Sequence, residues 1–151
     1  MEIRLLQPDE VERVIPLLLL AEPSLGALRW SLERMTDHVY GMEIDGEWVG
    51  AATVRWKSEP AEIMELAIDA ARQGQGLGKH LVAWLVEEAR RRGTRTLIVG
   101  TSNASIGNIV FYQRCGFRMD HVRADYFWYH RKPLFENDLQ AAASGDSHPR
   151  K

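Results

Sequence analysis

The run Gln73-Gly74-Gln75-Gly76-Leu77-Gly78-Lys79 constrains this chain more than any other stretch, because it stands between an apolar β-branched segment, Ile63 to Ile68, and a strongly amphipathic helical one. A strand that enters a glycine-rich turn and leaves as a helix is suited to holding phosphate. The first helical N–H groups have no intrahelical partner, the helix dipole is positive there, and glycines clear side chains from the backbone. Taken alone, the turn also fits a simple helix cap.

Around this unit the pattern predicts a mixed domain. Glu2 to Leu6 reads as a first strand, closed by Pro8 and Asp9. Glu10 to Leu20 reads as a helix that Pro16 kinks or divides, and Ser24 as the N-cap of a second helix reaching about Met35. Val39 to Ile44 and Trp48 to Trp56 flank Asp45-Gly46, whose tolerance of positive φ suits a two-residue hairpin. Glu62 to Ile68 is the next strand. A helix follows from about Gly76 to Arg92, with Leu77, Leu81, Leu85 and Ala89 on one face and Gly93 at its end. Thr96 to Val99 is a short strand, 104 to 114 a helix, and Phe117 to Tyr129 a long alternating strand. The order β-α-α-β-β-β-α-β-α-β implies an α+β fold with a central, mostly antiparallel sheet flanked by helices, parallel where the chain crosses from 63–68 to 96–99. From Ala141 the apolar residues stop, so the domain is expected over 1–139 and a disordered tail over 140–151.

Composition removes several classes of function. Nineteen basic and twenty-one acidic residues among 151, interspersed, leave a net charge of −2 and no footprint for nucleic acid. The single Cys115 excludes an internal disulfide framework and a cysteine cage for zinc, and it fits a reducing cytoplasm. The longest apolar run, Val14 to Ala21, contains Pro16 and is well short of the roughly 20 residues of a membrane span. Acidic residues precede it, unlike the basic start of a signal peptide. A cytoplasmic protein without membrane or metal is expected.

The glycine run can be tested against three phosphate patterns. A Walker loop would require glycine at Gln73 and Ser or Thr at His80. A dinucleotide fingerprint would require Gly or Ala at Lys79 and a leading βαβ unit. The pattern that fits is Gln73-x-x-Gly76-x-Gly78 after the strand Leu66-Ala67-Ile68, and it resembles the coenzyme A pyrophosphate loop of the GNAT superfamily of N-acyltransferases. Further on, Phe111-Tyr112-Gln113-Arg114-Cys115-Gly116-Phe117 resembles that family's aromatic pair, helix end and Gly-Phe strand start. The likeness spans roughly Glu2 to Leu139 and looks nearest to small bacterial members of unassigned substrate. The family's last strand is expected to be short or missing, because Leu139 leads into an Ala-Ser-Gly tail.

The resemblance implies acetyl-coenzyme A as co-substrate, with Gln73, Gly74, Gln75, Gly76, Leu77, Gly78 and Lys79 at its pyrophosphate. It also implies that backbone groups of Leu66, Ala67 and Ile68 hold the thioester and pantetheine. Tyr112 becomes the general-acid candidate for the departing thiolate; as a bland alternative it packs the core. Ser105 stands where many members carry Asn, so Asn103, Ser105 and Asn108 become cofactor contacts, with local helix capping the other reading of Asn108. An aliphatic ammonium, with a pKa near 10, must lose a proton before it attacks. Glu65 is the preferred base; as a strand-end acid it could instead be solvated or paired with Arg. Glu62 is expected on the other strand face. Trp30, Glu62 and Tyr126 are candidate acceptor contacts, the other tryptophans packing residues, His121, Asp125 and His130 surface polar groups, and Cys115 a small buried residue. No Ser-His-Asp or Cys-His arrangement suggests a covalent intermediate. The expectation is direct acetyl transfer to a primary amine of a small molecule. A protein or peptide acceptor, or a non-catalytic acyl-coenzyme A sensor, is the alternative; the resemblance leaves room for a homodimer.

Overall fold

The computed structural model describes residues 1–101 and 106–119. Tyr126, Asn103, Ser105, the long strand expected over Phe117 to Tyr129 and the tail over 140–151 lie wholly or largely outside the described residues. The chain forms two compact bodies, Met1–Gly100 and one that begins at Thr101, and each is described by itself.

In the first body, strand β1 (Glu2–Leu5) is followed by helices α1 (Pro8–Ala21) and α2 (Leu25–Arg34). Strands β2 (His38–Ile44), β3 (Glu47–Arg55) and β4 (Ala61–Ile68) come next, then α3 (Leu77–Arg91) and β5 (Leu97–Val99). The strands form one sheet in chain order, antiparallel from β1 to β4 and parallel between β4 and β5. This is the expected α+β architecture. The second body contains α4 (Ile106–Arg114).

Local chemistry explains most boundaries. α1 starts at Pro8, earlier than the sequence suggested, because a proline in the first turn lacks only an N–H that would have no partner there. The Glu10 carboxylate accepts the N–H of the cap residue Gln7 at 2.9 Å and also binds Arg4 of β1 at 2.7 Å. α1 continues as one helix through Pro16, so of the kink or division expected there, the division does not occur. Val14 and Leu18 on its inner face are fully buried, and that packing offsets the proline's lost backbone bond. Ser24 caps α2, its Oγ accepting the Ala27 N–H at 3.2 Å, a contact worth about 1 kcal/mol. Asp45 and Gly46, at φ 50° and 80°, turn β2 into β3.

The two faces of the sheet differ. On one, Val39 of β2 and Ala51 of β3 join Val14, Leu18 and Leu28 of α1 and α2 in a closed cluster. On the other, Tyr40 of β2 packs edge-on against Trp84 of α3, with ring centroids 5.1 Å apart. The Tyr40 hydroxyl accepts the Trp56 indole N–H at 3.0 Å, and Arg92 stacks on Trp56 at 4.7 Å.

Candidate active site

β4 is the element on which the site is built, because its two edges are treated differently. Toward β3 the ladder runs from Glu62 to Ile68 with one irregularity at Met64, and the Asp69 N–H just past its end donates to the Val49 carbonyl at 2.8 Å. With antiparallel alternation, Ala67 turns its backbone groups toward β3, whereas Leu66 and Ile68 turn theirs away. On that far side β5 pairs only with Ala61, Glu62 and Ile63. Among the described residues no strand lies along Leu66 to Ile68 there. The Ile68 carbonyl receives the Gln73 side-chain amide at 3.0 Å, which leaves the Leu66 N–H and carbonyl and the Ile68 N–H directed to an open edge.

The turn beyond β4 is pinned at several points. A single 3-10 turn over Ala70–Arg72 precedes the glycines. The Arg72 N–H donates to the Asp69 carbonyl at 2.8 Å, and its guanidinium reaches Glu47 of β3 at 3.3 Å. Gly74 and Gly76 both stand at φ 83°, where a β-carbon is strained. Gly76 is the N-cap of α3, so the N–H groups of Leu77, Gly78 and Lys79 belong to the unpartnered first turn. No heavy atom lies within 4 Å of where a β-carbon of Gly74 or Gly76 would stand. Open space, aligned amides and a positive dipole end fit a pyrophosphate, and the open β4 edge fits an extended amide-bearing chain such as pantetheine. Gln73 differs from its neighbours, since its side chain closes the turn onto β4.

Glu65 faces α1 and α2. It lies opposite Thr53 on β3, two residues from the cluster residue Ala51, and is 4% exposed. Ser31 of α2 donates to its Oε2 at 2.9 Å. Thr53 Oγ1 donates to its Oε1 and accepts the Glu65 N–H at 2.9 Å. Burying a carboxylate costs several kcal/mol, and each hydrogen bond to the charged form returns about 1.5–3 kcal/mol. Two hydroxyl donors thus offset a large part of the burial.

Glu62 does not point to the opposite face from Glu65. One step on β3, from Thr53 to Val54, corresponds to two on β4, from Glu65 to Ile63, so Met64 is an extra residue in a β-bulge. Glu62 pairs across from Arg55, which shares a β3 face with Thr53, and both glutamates therefore lie on the α1/α2 side. Both are buried. Trp30, beside Ser31 on α2, is 39% exposed, with the Arg34 guanidinium 6.0 Å from its ring. Ser31 and Thr53 are absent from the sequence-based candidates, although each is a hydroxyl at a position whose neighbours in pattern are apolar.

In the second body, Tyr112 is half-buried on α4 between Phe111 and Phe117, at centroid distances of 5.0 and 5.9 Å. Burial, with a smaller contribution from the Cys115 thiol, pushes its phenol up to about 12. Gly116 at φ 99° ends the helix, and the Phe117 N–H returns to the Tyr112 carbonyl at 3.0 Å. Asn108 is exposed and its side-chain amide lies 3.4 Å from Thr101 Oγ1, a local contact. Among the described residues no group of three His, Cys, Asp or Glu side chains could hold a metal ion, and no helix is long and apolar enough to cross a membrane.

An open-edged strand, a glycine turn and a helix N-terminus in this order define the class of protein. The model of the acetyltransferase (GNAT) family matches residues 7–117, and the chain belongs to that family. It is an acetyl-coenzyme A dependent N-acyltransferase. It is 34% identical over 132 residues to the uncharacterized N-acetyltransferase YvbK of Bacillus subtilis strain 168, covering 85% of this chain and 83% of that protein. An IAA acetyltransferase from Bacillus cereus ATCC 14579 superposes with a TM-score of 0.76 at 32% identity, over 87% of this chain and 85% of that one. A GNAT acetyltransferase from Elizabethkingia anophelis, solved with acetyl-coenzyme A bound, gives a TM-score of 0.74 at 27% identity, over 86% and 84% of the two chains.

Proposed function

We propose that this protein transfers an acetyl group directly to the primary amine of a small molecule, with Glu65 as general base and Tyr112 as general acid. The observation that carries this reading is the buried Glu65 carboxylate, held by Ser31 and Thr53 on the strand whose next residues open toward the co-substrate side. Acetyl-coenzyme A supplies the activated thioester. Leu66 and Ile68 would bind its amides and acyl carbonyl through their backbone groups, and the amides of Gly74 to Lys79 would bind its pyrophosphate. Glu65 draws the proton from an arriving ammonium, leaving a lone pair free to attack. A phenol held protonated to about 12 has its proton to give throughout the neutral range, and Tyr112 delivers it to the departing sulfur. Asn108, with Asn103 and Ser105, is assigned to the co-substrate; Trp30, Glu62 and Tyr126 are assigned to the acceptor.

The test is acetylation of a panel of small primary amines and of short peptides, read by product mass and release of free thiol. Small-amine products are expected, and Glu65→Gln should reduce turnover by about 10²–10⁴ with coenzyme A affinity retained. Products on peptides alone would reassign the acceptor. Coenzyme A binding without any thiol release would make the protein an acyl-coenzyme A sensor.

A further inference from the structure

Two hydroxyls from different elements converge on one buried carboxylate, and hydrogen counting fixes the direction of the Thr53 bond. The Glu65 N–H can only donate, so Thr53 Oγ1 accepts it at 2.9 Å and its single hydrogen goes to Glu65 Oε1. Ser31 Oγ donates to the other carboxylate oxygen at 2.9 Å. A proton on Oε1 would leave the Thr53 hydrogen facing another donor, so Oε1 is held as an acceptor. With the carboxyl ionised Ser31 donates to Oε2 as well, and both bonds are then charge-assisted, so the arrangement favours the ionised form.

We propose that Ser31 and Thr53 are positioning residues that hold Glu65 ionised inside the protein, so that it meets the acceptor as a carboxylate able to capture an ammonium. The inference rests on the reading of Glu65 as base. It makes α2, which also carries the exposed Trp30, part of the device that sets the base, since Ser31 ties this helix to β4. Among the described residues, charged groups on the surrounding elements include Glu62 on β4, Arg55 on β3, Asp37 before β2, Glu22 after α1, and Arg29, Glu33 and Arg34 on α2. Arg29 binds Glu12 at 2.8 Å, Arg34 stacks on Trp30, and Arg55 reaches Met35 Sδ at 3.7 Å. α1 turns the apolar Val14 and Leu18 inward, with Arg13 exposed.

The experiment is a carbon-13 NMR titration of the full chain labelled at the glutamate carboxyls, with the Glu65 signal assigned by its loss in Glu65→Gln. In the wild type Glu65 should be ionised at neutral pH. Its midpoint should rise by about one pH unit in Ser31→Ala and in Thr53→Val, and return toward the wild-type value in Ser31→Thr and Thr53→Ser. Alanine is favoured over serine in a helix, so Ser31→Ala decides the matter if Thr53→Val unfolds. A wild-type Glu65 that is neutral at pH 7, or a midpoint unmoved in folded Ser31→Ala, overturns the inference. The catalytic premise is judged separately. If Glu65→Gln acetylates an amine that the wild type acetylates, at the same rate, Glu65 is not the base, whatever the titration gives. If Glu65→Gln is inactive and the acidic limb of kcat/KM moves with the NMR midpoint in Ser31→Ala, both stand.

Discussion

Along its open edge β4 offers backbone amides and carbonyls, and the loop after it offers more amides from positions where glycine removes the side chain. On the α1/α2 face the same strand offers side chains, Glu65 and Glu62, and the groups that fix Glu65 come from β3 and α2. The first region is defined by where the chain goes, the second by what it carries. A region built of backbone tolerates exchange of side chains and fails when a β-carbon or a turn angle is forced on it. A region built of converging side chains fails when a single functional group is lost and barely registers changes in the turn. Substitutions that leave the fold intact should separate the two cleanly.

The largest effect is expected from removing a proton donor. Tyr112→Phe keeps the ring that packs on Phe111 and Phe117 and removes only the hydroxyl, so turnover should drop by about 10²–10⁴ with acetyl-coenzyme A affinity preserved. Unchanged turnover would return Tyr112 to a packing role. Next comes Gly76→Val. At φ 83° a β-branched side chain costs about 1–2 kcal/mol, and the turn escapes that strain by rotating its amides away. Calorimetry should show co-substrate binding weaker by about tenfold or more with Glu65 chemistry untouched; an unaffected affinity would mean that the turn is only a cap.

A smaller effect concerns pH. The Tyr112 phenol is pushed up to about 12 by burial, whereas an unfolded tyrosine ionises near 10. The folded state therefore keeps this proton longer. Its contribution to stability is complete below about pH 10 and is lost as pH rises toward about 12. Phenolate absorbance should show a late-titrating component to which Tyr40, also pushed up by burial, contributes, and Tyr112→Phe should remove the latest part of it. A wild type whose tyrosines all titrate near 10 would contradict the burial of the phenol.

These differences follow the line between what was legible in the sequence and what was not. Asp45-Gly46, Ser24 and the Gly76 to Gly93 helix declare themselves through local chemistry, since positive φ, a capping hydroxyl and a repeating apolar face act within a few residues. The open edge beside Leu66 was legible only through resemblance, because strand splaying depends on where β5 stops. Glu62-Ile63-Met64-Glu65 contains no glycine or proline to announce a bulge. Simple alternation therefore placed its two acids on opposite faces, and only the register with Thr53 and Arg55 put them together. Ser31 and Thr53 stayed unnoticed for a related reason. A hydroxyl on a buried stripe has no meaning until the partner 34 or 12 residues away along the chain is known.

The smallest effect expected is also the sharpest test of the backbone description. Leu66→Met replaces the side chain at the centre of the open edge with one of similar volume and leaves its N–H and carbonyl where they are. If those backbone groups hold the co-substrate, acetyl-coenzyme A affinity should change by no more than about twofold, well under the 1.4 kcal/mol that a tenfold change represents. Leu66 is only partly buried and turns to the α3 face, so the exchange creates no large cavity, and a shift of the thermal midpoint would be correspondingly slight. A tenfold loss of affinity at unchanged stability would mean that the leucine side chain itself grips the ligand. The contrast between an edge made of backbone and a face made of side chains would then fail at the residue where it is most strictly drawn.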